Sequence, residues 1–216
     1  MSTLICFALK EEAAPFHKIA ARHPGVVTLL VGIGRANAEQ TVRRYLAANT
    51  PTLVLTCGFA GGLNPDLKLG DVVFDLAFSQ LPAASCQLPA KLLAAGAQRV
   101  NFACTDHIAI TAMDKWKLCL DTGADAVEME SAAIHAVCAQ KKIPCVTVRV
   151  ISDTAHEDLP LDFNALAKAD KSIDFGKLAW AITKSPQKIP QLLAFGKKTK
   201  FAAERLAEVL GKIISA

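Results

Sequence analysis

The chain has no apolar run of bilayer length, no Cys-x-x-Cys pair and no strong charge of either sign. A spanning helix needs about 20 consecutive apolar residues, and no run here reaches that length. Met1 to Leu9 is a short apolar stretch followed by Lys10-Glu11-Glu12. It has no basic leader and no cleavage site, and reads as a first strand, not a signal peptide. The seven cysteines (6, 57, 86, 104, 119, 138 and 145) are odd in number and scattered through apolar segments. That pattern indicates reduced core thiols in a cytoplasmic protein, and no zinc spacing is present. A net charge of +4 is too small to argue for a nucleic-acid partner.

At 216 residues, 52% of them hydrophobic, the chain reads as one domain, 1–216, with a sizeable core. Strand and helix signals alternate. Strands are expected at Thr3–Leu9, Val26–Val31, Thr52–Thr56, Asp71–Phe74, Arg99–Thr105, Ala124–Glu128 and Pro144–Ile151. Helices are expected near Glu11–Ala21, at Arg35–Ala48, Met113–Asp121 and Ser131–Lys141, and in the tail from Asp162, broken at Ser185-Pro186 and near Pro190. This alternation implies an α/β fold with a mixed, mostly parallel central sheet flanked by helices.

Four strand exits carry unusual residues. They are Glu11-Glu12, Gly58-Phe59-Ala60-Gly61-Gly62, Glu128-Met129-Glu130 and Ser152-Asp153. In a parallel sheet such exits lie along one edge, where ligands bind. Glu128 and Glu130 sit among apolar neighbours, and acids so placed are costly to bury unless something pairs with them. A ligand bearing hydroxyl groups is one partner; a helix dipole favouring acids in its first turn is the plainer reading. Glu11 and Glu12 could open a helix, Ser152-Asp153 could cap one, and Gly61-Gly62 could form a turn. Taken jointly, at successive exits, they favour a site. Gly32-Ile33-Gly34 lacks the third glycine of a dinucleotide fingerprint.

These segments resemble the purine nucleoside phosphorylase/5′-methylthioadenosine nucleosidase superfamily. The matching pieces are Ala8-Leu9-Lys10-Glu11-Glu12, Val31-Gly32-Ile33-Gly34-Arg35, Thr56 to Leu63 with Leu69-Gly70-Asp71-Val72-Val73, Val127 to Ala133, and Val148-Arg149-Val150-Ile151-Ser152-Asp153. They run in family order over residues 3 to about 158. The resemblance implies cleavage of a nucleoside N-glycosidic bond, a homo-oligomer (a dimer), and neither metal nor organic cofactor. Asp153 would protonate or hydrogen-bond the leaving purine, beside Ser152. Glu130 would hold the ribose hydroxyls, Met129 would pack under the sugar, and Glu128 would support the same turn. Glu12 would activate water. Ala60 and Gly61 would approach base and ribose, and the backbone near Ile108 would read the adenine edge.

The residue types suit that chemistry. Cleavage develops oxocarbenium charge on the sugar and negative charge on the base. A carboxylate near the hydroxyls stabilises the first. A carboxylic acid offsets the second, and burial of Asp153 beside Ile151 is expected to keep it protonated. Phosphorylases of this kind place an arginine at the start of the strand before the glycine-rich segment; here that strand begins Thr52-Leu53. Water is therefore the expected nucleophile, with phosphate, bound by Arg35 or Arg43, as the alternative. A catalytically silent nucleoside-binding module and a dinucleotide-dependent oxidoreductase are the readings from other classes. The stretch between Val73 and Arg99, which would supply specificity elements and subunit contacts, is short. The tail beyond residue 184, with Lys197, Lys198, Lys200 and Arg205, resembles the hopanoid-associated branch, whose members act on adenosylhopane. Its basic amphipathic helix, residues 185–216, could rest weakly on an anionic membrane surface or cover the core.

Overall fold

The computed structural model describes residues 2–76, 87–168 and 174–215. Residues 77–86 of the short stretch before Arg99, Cys86 among them, lie outside the described residues. One eight-stranded sheet organises the rest. It contains β1 (Thr3–Phe7), β2 (Val26–Leu30), β3 (Leu53–Gly62), β4 (Val72–Asp75), β5 (Gln98–Arg99), β6 (Phe102–Cys104), β7 (Ala126–Glu128) and β8 (Cys145–Asp153). The order is β2-β1-β3-β8-β4-β5, with β7 on the far half of β3 and β6 on β7. β1, β2, β3 and β8 run parallel; β4 runs against β8, and β7 against β3.

The helices are α1 (Lys10–Ala20), α2 (Arg35–Ala48), α3 (Leu88–Ala94), α4 (Ala112–Thr122), α5 (Ser131–Gln140), α6 (Phe163–Leu166), α7 (Phe175–Lys184) and α8 (Ile189–Ser215). They cover both faces because the strands are apolar on both. On β1, Ile5 and Phe7 join Phe16, Leu55, Val148, Leu206 and Leu210 under α1 and α8. Leu4 and Cys6 point the other way, to Val42, Val54 and Ile134 under α2 and α5. This is the two-residue alternation of a strand buried on both sides. Ala38, Val42 and Leu46 make the apolar stripe that seats α2. Each such Leu, Ile, Val or Phe contributes roughly 1.5–3 kcal/mol of burial.

Four expectations change. First, β3 does not stop at Thr56 but continues through the glycine-rich segment to Gly62, because β8 extends alongside it to Asp153. Second, the strand expected over Arg99–Thr105 divides into β5 and β6, which pair with β4 and β7 respectively. Third, β7 runs antiparallel to β3, with Gly61 opposite Val127 and Gly62 opposite Ala126. Its exit therefore turns back along β3 instead of joining the common edge. Fourth, Pro190 does not break the tail; it lies in the first turn of α8, where a missing N–H costs nothing.

The second half of α8 buries Ala202, Leu206, Ala207, Val209, Leu210 and Ile213 in the core. This half of the helix covers the core, and Ile189 and Leu193 of the first half are exposed. Among the described residues no helix is long and apolar enough to cross a membrane.

Candidate active site

The last five residues of β3 form the floor of the site. Gly58 is its narrowest point: a Cβ there would sit 2.6 Å from Glu12 Oε1 and 2.7 Å from Arg149 Nη1, at a φ of +149°. Only glycine lets both side chains close on the strand. Glu12, in the first turn of α1, accepts from the Phe59 N–H at 2.8 Å through Oε1 and from the Leu9 N–H at 2.9 Å through Oε2. Its burial pushes its pKa up to about 7, with Glu130 adding to the rise, while Arg149 and the two N–H donors oppose it. A carboxylate poised there is suited to taking a proton near neutral pH.

Arg149, from β8, is the buried hub. Its Nη2 donates to Glu128 Oε2 at 2.6 Å and Glu130 Oε2 at 3.2 Å, and to the Thr56 hydroxyl at 3.2 Å. Glu128 also accepts from the N–H groups of Glu130 and Ser131, at 3.0 and 2.8 Å, and from the Ser131 hydroxyl at 2.6 Å. Both Glu128 oxygens are thus consumed within the protein. Burial alone would raise its pKa, but Arg149 and Ser131 hold it below the usual carboxylate value. Glu130 is held more lightly, by Arg149 and by the Gly34 N–H at 2.8 Å. Burial raises its pKa against Arg149, and Glu128 adds to the rise. The antiparallel β7 is what brings Glu128 and Glu130 back to Arg149 and Glu12. Met129, between the two acids, is half-buried.

The second centre lies further along β3. The pairing of β3 with β8 is irregular there: Ala60 is opposite Ile151 but Gly61 is opposite Asp153. Ser152 is the extra residue of a bulge, a device that re-aims side chains at a strand end. Its hydroxyl donates to Asp153 Oδ1 at 2.7 Å and lies 3.4 Å from the Ala60 carbonyl. Gly61 clears the space, since a Cβ there would lie 3.3 Å from Asp153 Oδ2. Asp153 Oδ2 is 2.6 Å from the ammonium of Lys115 on α4. Asp153 is therefore not a solitary acid in an apolar pocket beside Ile151, as the sequence led us to expect: its burial is accompanied by a cation.

Ile108 is tied to Asn164 of α6. Its N–H donates to Asn164 Oδ1 and its carbonyl accepts from Asn164 Nδ2, both at 2.9 Å. Leu53 lies away from the site. It is at the entry of β3, opposite Thr3, in the core under α1 and α8. Eight residues of strand put it about 26 Å from Gly61. Its apolar character carries no information about an anion at the site. Arg35 opens α2 next to Gly34 and lies 3.6 Å from Asp106 at the surface.

Arg149 and Lys115 had no assigned role in the sequence reading, nor had Gly34 as a donor. Arg149 carries a signal: it is the lone charge in the β-branched strand Cys145–Ile151. Among the described residues no group of three His, Cys, Asp or Glu side chains is arranged for a metal ion; the three glutamates turn on Arg149 instead.

Buried carboxylates gathered at strand ends of a mostly parallel sheet suit acid–base work on an organic substrate. The family model of the phosphorylase superfamily matches residues 11–75 and 83–184, and the chain belongs to that superfamily. Among similar proteins, a 5′-methylthioadenosine/S-adenosylhomocysteine nucleosidase of Shewanella loihica is 30% identical over 67% of this chain and 75% of its own length. One from Tolumonas auensis is 31% identical over 64% and 72%. A nucleosidase of that kind from Neisseria meningitidis, solved with methylthio-immucillin-A, superposes with a TM-score of 0.71 at 20% identity, over 99% of this chain and 98% of that one. The futalosine hydrolase of Helicobacter pylori gives 0.70 at 18% identity, over 100% and 97%. At such identities the structures establish the fold. With the sequence relatives, they make this chain an enzyme of the N-glycosidase type.

Proposed function

We propose that the chain hydrolyses the N-glycosidic bond of a purine nucleoside, a 5′-modified adenosine being the best match to its relatives. The carrying observation is that three buried acids from separate elements gather around β3: Glu12 on the Phe59 N–H, Glu130 on Arg149 beside Gly58, and Asp153 beside Gly61. Asp153 serves the leaving base, with Ser152 fixing one of its oxygens and Ala60 and Gly61 lining its approach. Glu130 has an oxygen that, among the described residues, accepts only from the Gly34 N–H, and takes the ribose hydroxyls, and Met129 packs under the sugar. Glu12 takes a proton from the attacking water, as its raised pKa suits. Ile108 is the backbone candidate for the base edge once Asn164 releases it. Phosphate is the alternative nucleophile, with Arg35, one position after Gly34, or Arg43 as the cation that would bind it.

A panel of purine nucleosides, assayed for free base with and without phosphate, tests this reading. The expected product in phosphate-free buffer is free base with a free ribose-containing product, at a rate that phosphate does not raise. Strict phosphate dependence, with a ribose 1-phosphate product, would replace hydrolysis by phosphorolysis. No base release from any purine nucleoside would leave only a binding module.

A further inference from the structure

A buried lysine is costly unless each of its protons finds an acceptor. Lys115 has none of its surface exposed, and its ammonium has three acceptors: Asp153 Oδ2 at 2.6 Å and the carbonyls of Thr154 and Glu157, both at 2.8 Å. The two carbonyls belong to the segment directly after Asp153, so ammonium and carboxylate are held on one turn. Breaking even with water is the best most buried ion pairs achieve, so such a pair is weak evidence for stability. A chemical use is the better account of this one.

We propose that Lys115 is the proton reserve of the leaving-base acid, storing on Nζ the proton that Asp153 passes to the departing purine. This rests on the reading of Asp153 as the group at the base. The Nζ–H bond breaks and its proton moves to Asp153 Oδ2, leaving a neutral amine. The carboxyl proton then passes to the base nitrogen as the glycosidic bond breaks and its electron pair leaves with the base. The carboxylate is restored, and Lys115 regains a proton from water between turnovers. The Ser152 hydroxyl occupies Oδ1, which leaves Oδ2 as the oxygen that carries the proton. Lys115 acts through Asp153 and is in that sense a positioning residue.

The charged groups around it are few. Asp153 faces it from β8. Glu157 faces it from the following segment, its carboxylate held by Lys198 of α8 at 2.8 Å. On its own helix, Asp114 is turned to the Thr111 cap. The Asp153 carboxylate is the one bonded to Nζ.

Two substitutions separate a proton reserve from a structural cation. Lys115→Met removes the reserve and leaves Asp153 to hold its own proton. The alkaline limb of its kcat profile should move down by about 2 pH units or more, while its rate at pH 5 stays close to that of wild type at the same pH. Lys115→Arg keeps a cation but has no proton to release; it should lose about 10²-fold or more at every pH. Lys115→Met should therefore outpace Lys115→Arg at pH 5. A structural cation predicts the reverse, with arginine the rescue. The proposal is overturned by a faster Lys115→Arg at pH 5, by an unmoved alkaline limb in Lys115→Met, or by near wild-type turnover in a folded Lys115→Arg. Should neither variant fold, the infrared difference between wild type and Asp153→Asn at pH 7 decides. A carboxylate band is expected, whereas a protonated-carboxyl band would place the proton on Asp153 without Lys115. Near wild-type base release by Asp153→Asn would instead remove Asp153 from the base, a distinct outcome.

Discussion

Arg149 and Lys115 are both buried cations, yet they organise their surroundings in opposite ways. Arg149 is bonded to two carboxylates and faces a third, Glu12. Lys115 is bonded to one carboxylate and two carbonyls. The first centre has more acids than its cation can neutralise. Burial raises the pKa values of Glu12 and Glu130 and the neighbouring carboxylates add to the rise, while Glu128, closest to the guanidinium, stays low. The second centre is balanced. Surplus negative charge suits the end of a nucleoside where oxocarbenium charge develops, and a balanced pair with a movable proton suits the end where the base departs. Arginine, which does not give up its proton, stands at the first; lysine, which can, stands at the second.

The strongest way to break this contrast is Arg149→Met. It strands Glu128, Glu130 and Glu12 without a cation, and removing one partner of a buried ionic group costs about 3–5 kcal/mol. Urea unfolding at pH 7 should show that loss, and part of it should return at pH 5 as the carboxylates take protons. A loss below about 1 kcal/mol would mean that backbone donors, not Arg149, hold the acids.

A smaller effect separates the two glutamates on Arg149. Glu130→Gln should lower kcat/KM by about 10- to 100-fold, the range of a charged hydrogen bond worth about 1.5–3 kcal/mol. Glu128→Gln should cost less activity and more stability, since all its acceptors are used within the protein. If Glu128→Gln is the more damaging to kcat/KM, the carboxylate facing the ribose has been misidentified.

The smallest effect is a pH dependence of Glu12. Its folded-state pKa, about 7, lies above the ordinary value of 4.5. The folded state therefore binds its proton more tightly than the unfolded state. The resulting stabilisation is fully present below about pH 4.5 and is lost as pH rises through about 7. Activity runs the other way, because the base form is needed: kcat/KM should fall as pH drops below about 7. Denaturation midpoints of wild type and Glu12→Gln between pH 5 and 8 check the first. The wild type should lose more over that range, and parallel curves would remove Glu12 as the titrating group.

Much of the site was legible before any tertiary contact was known. Position marked the strand exits that hold Glu12, Glu130 and Asp153, and the family resemblance singled those acids out from Glu11 and Glu128. Gly58 and Gly61 were visible as a glycine-rich segment, though not as strand, since glycine disfavours strand interiors. The continuation of β3 to Gly62 depends on its neighbour β8, which no local pattern reports. Lys115 was hidden for a different reason. The apolar residues of α4 that would mark a buried face, Met113, Trp116 and Leu120, are more than half exposed, while Lys115 between them is buried. Amphipathic reading orients this helix the wrong way round. Arg149 lies within a matching motif without a role that its sequence context reveals, because a charge in a β-branched strand acquires its meaning only from its partners.

The sequence by itself determined the alternation of strands and helices, the two-sided burial of the sheet and which acids stand at strand exits. Those properties depend on period, turn residues and short spacings. Tertiary structure decided which cation meets which acid, and in which direction β7 delivers Glu128 and Glu130. Gly34 reaches Glu130 across 96 residues, Glu12 reaches Phe59 across 47, and Lys115 reaches Thr154 across 39. Electrostatic partnership depends on distance in space and on exclusion of water, and neither is written in the order of residues along the chain.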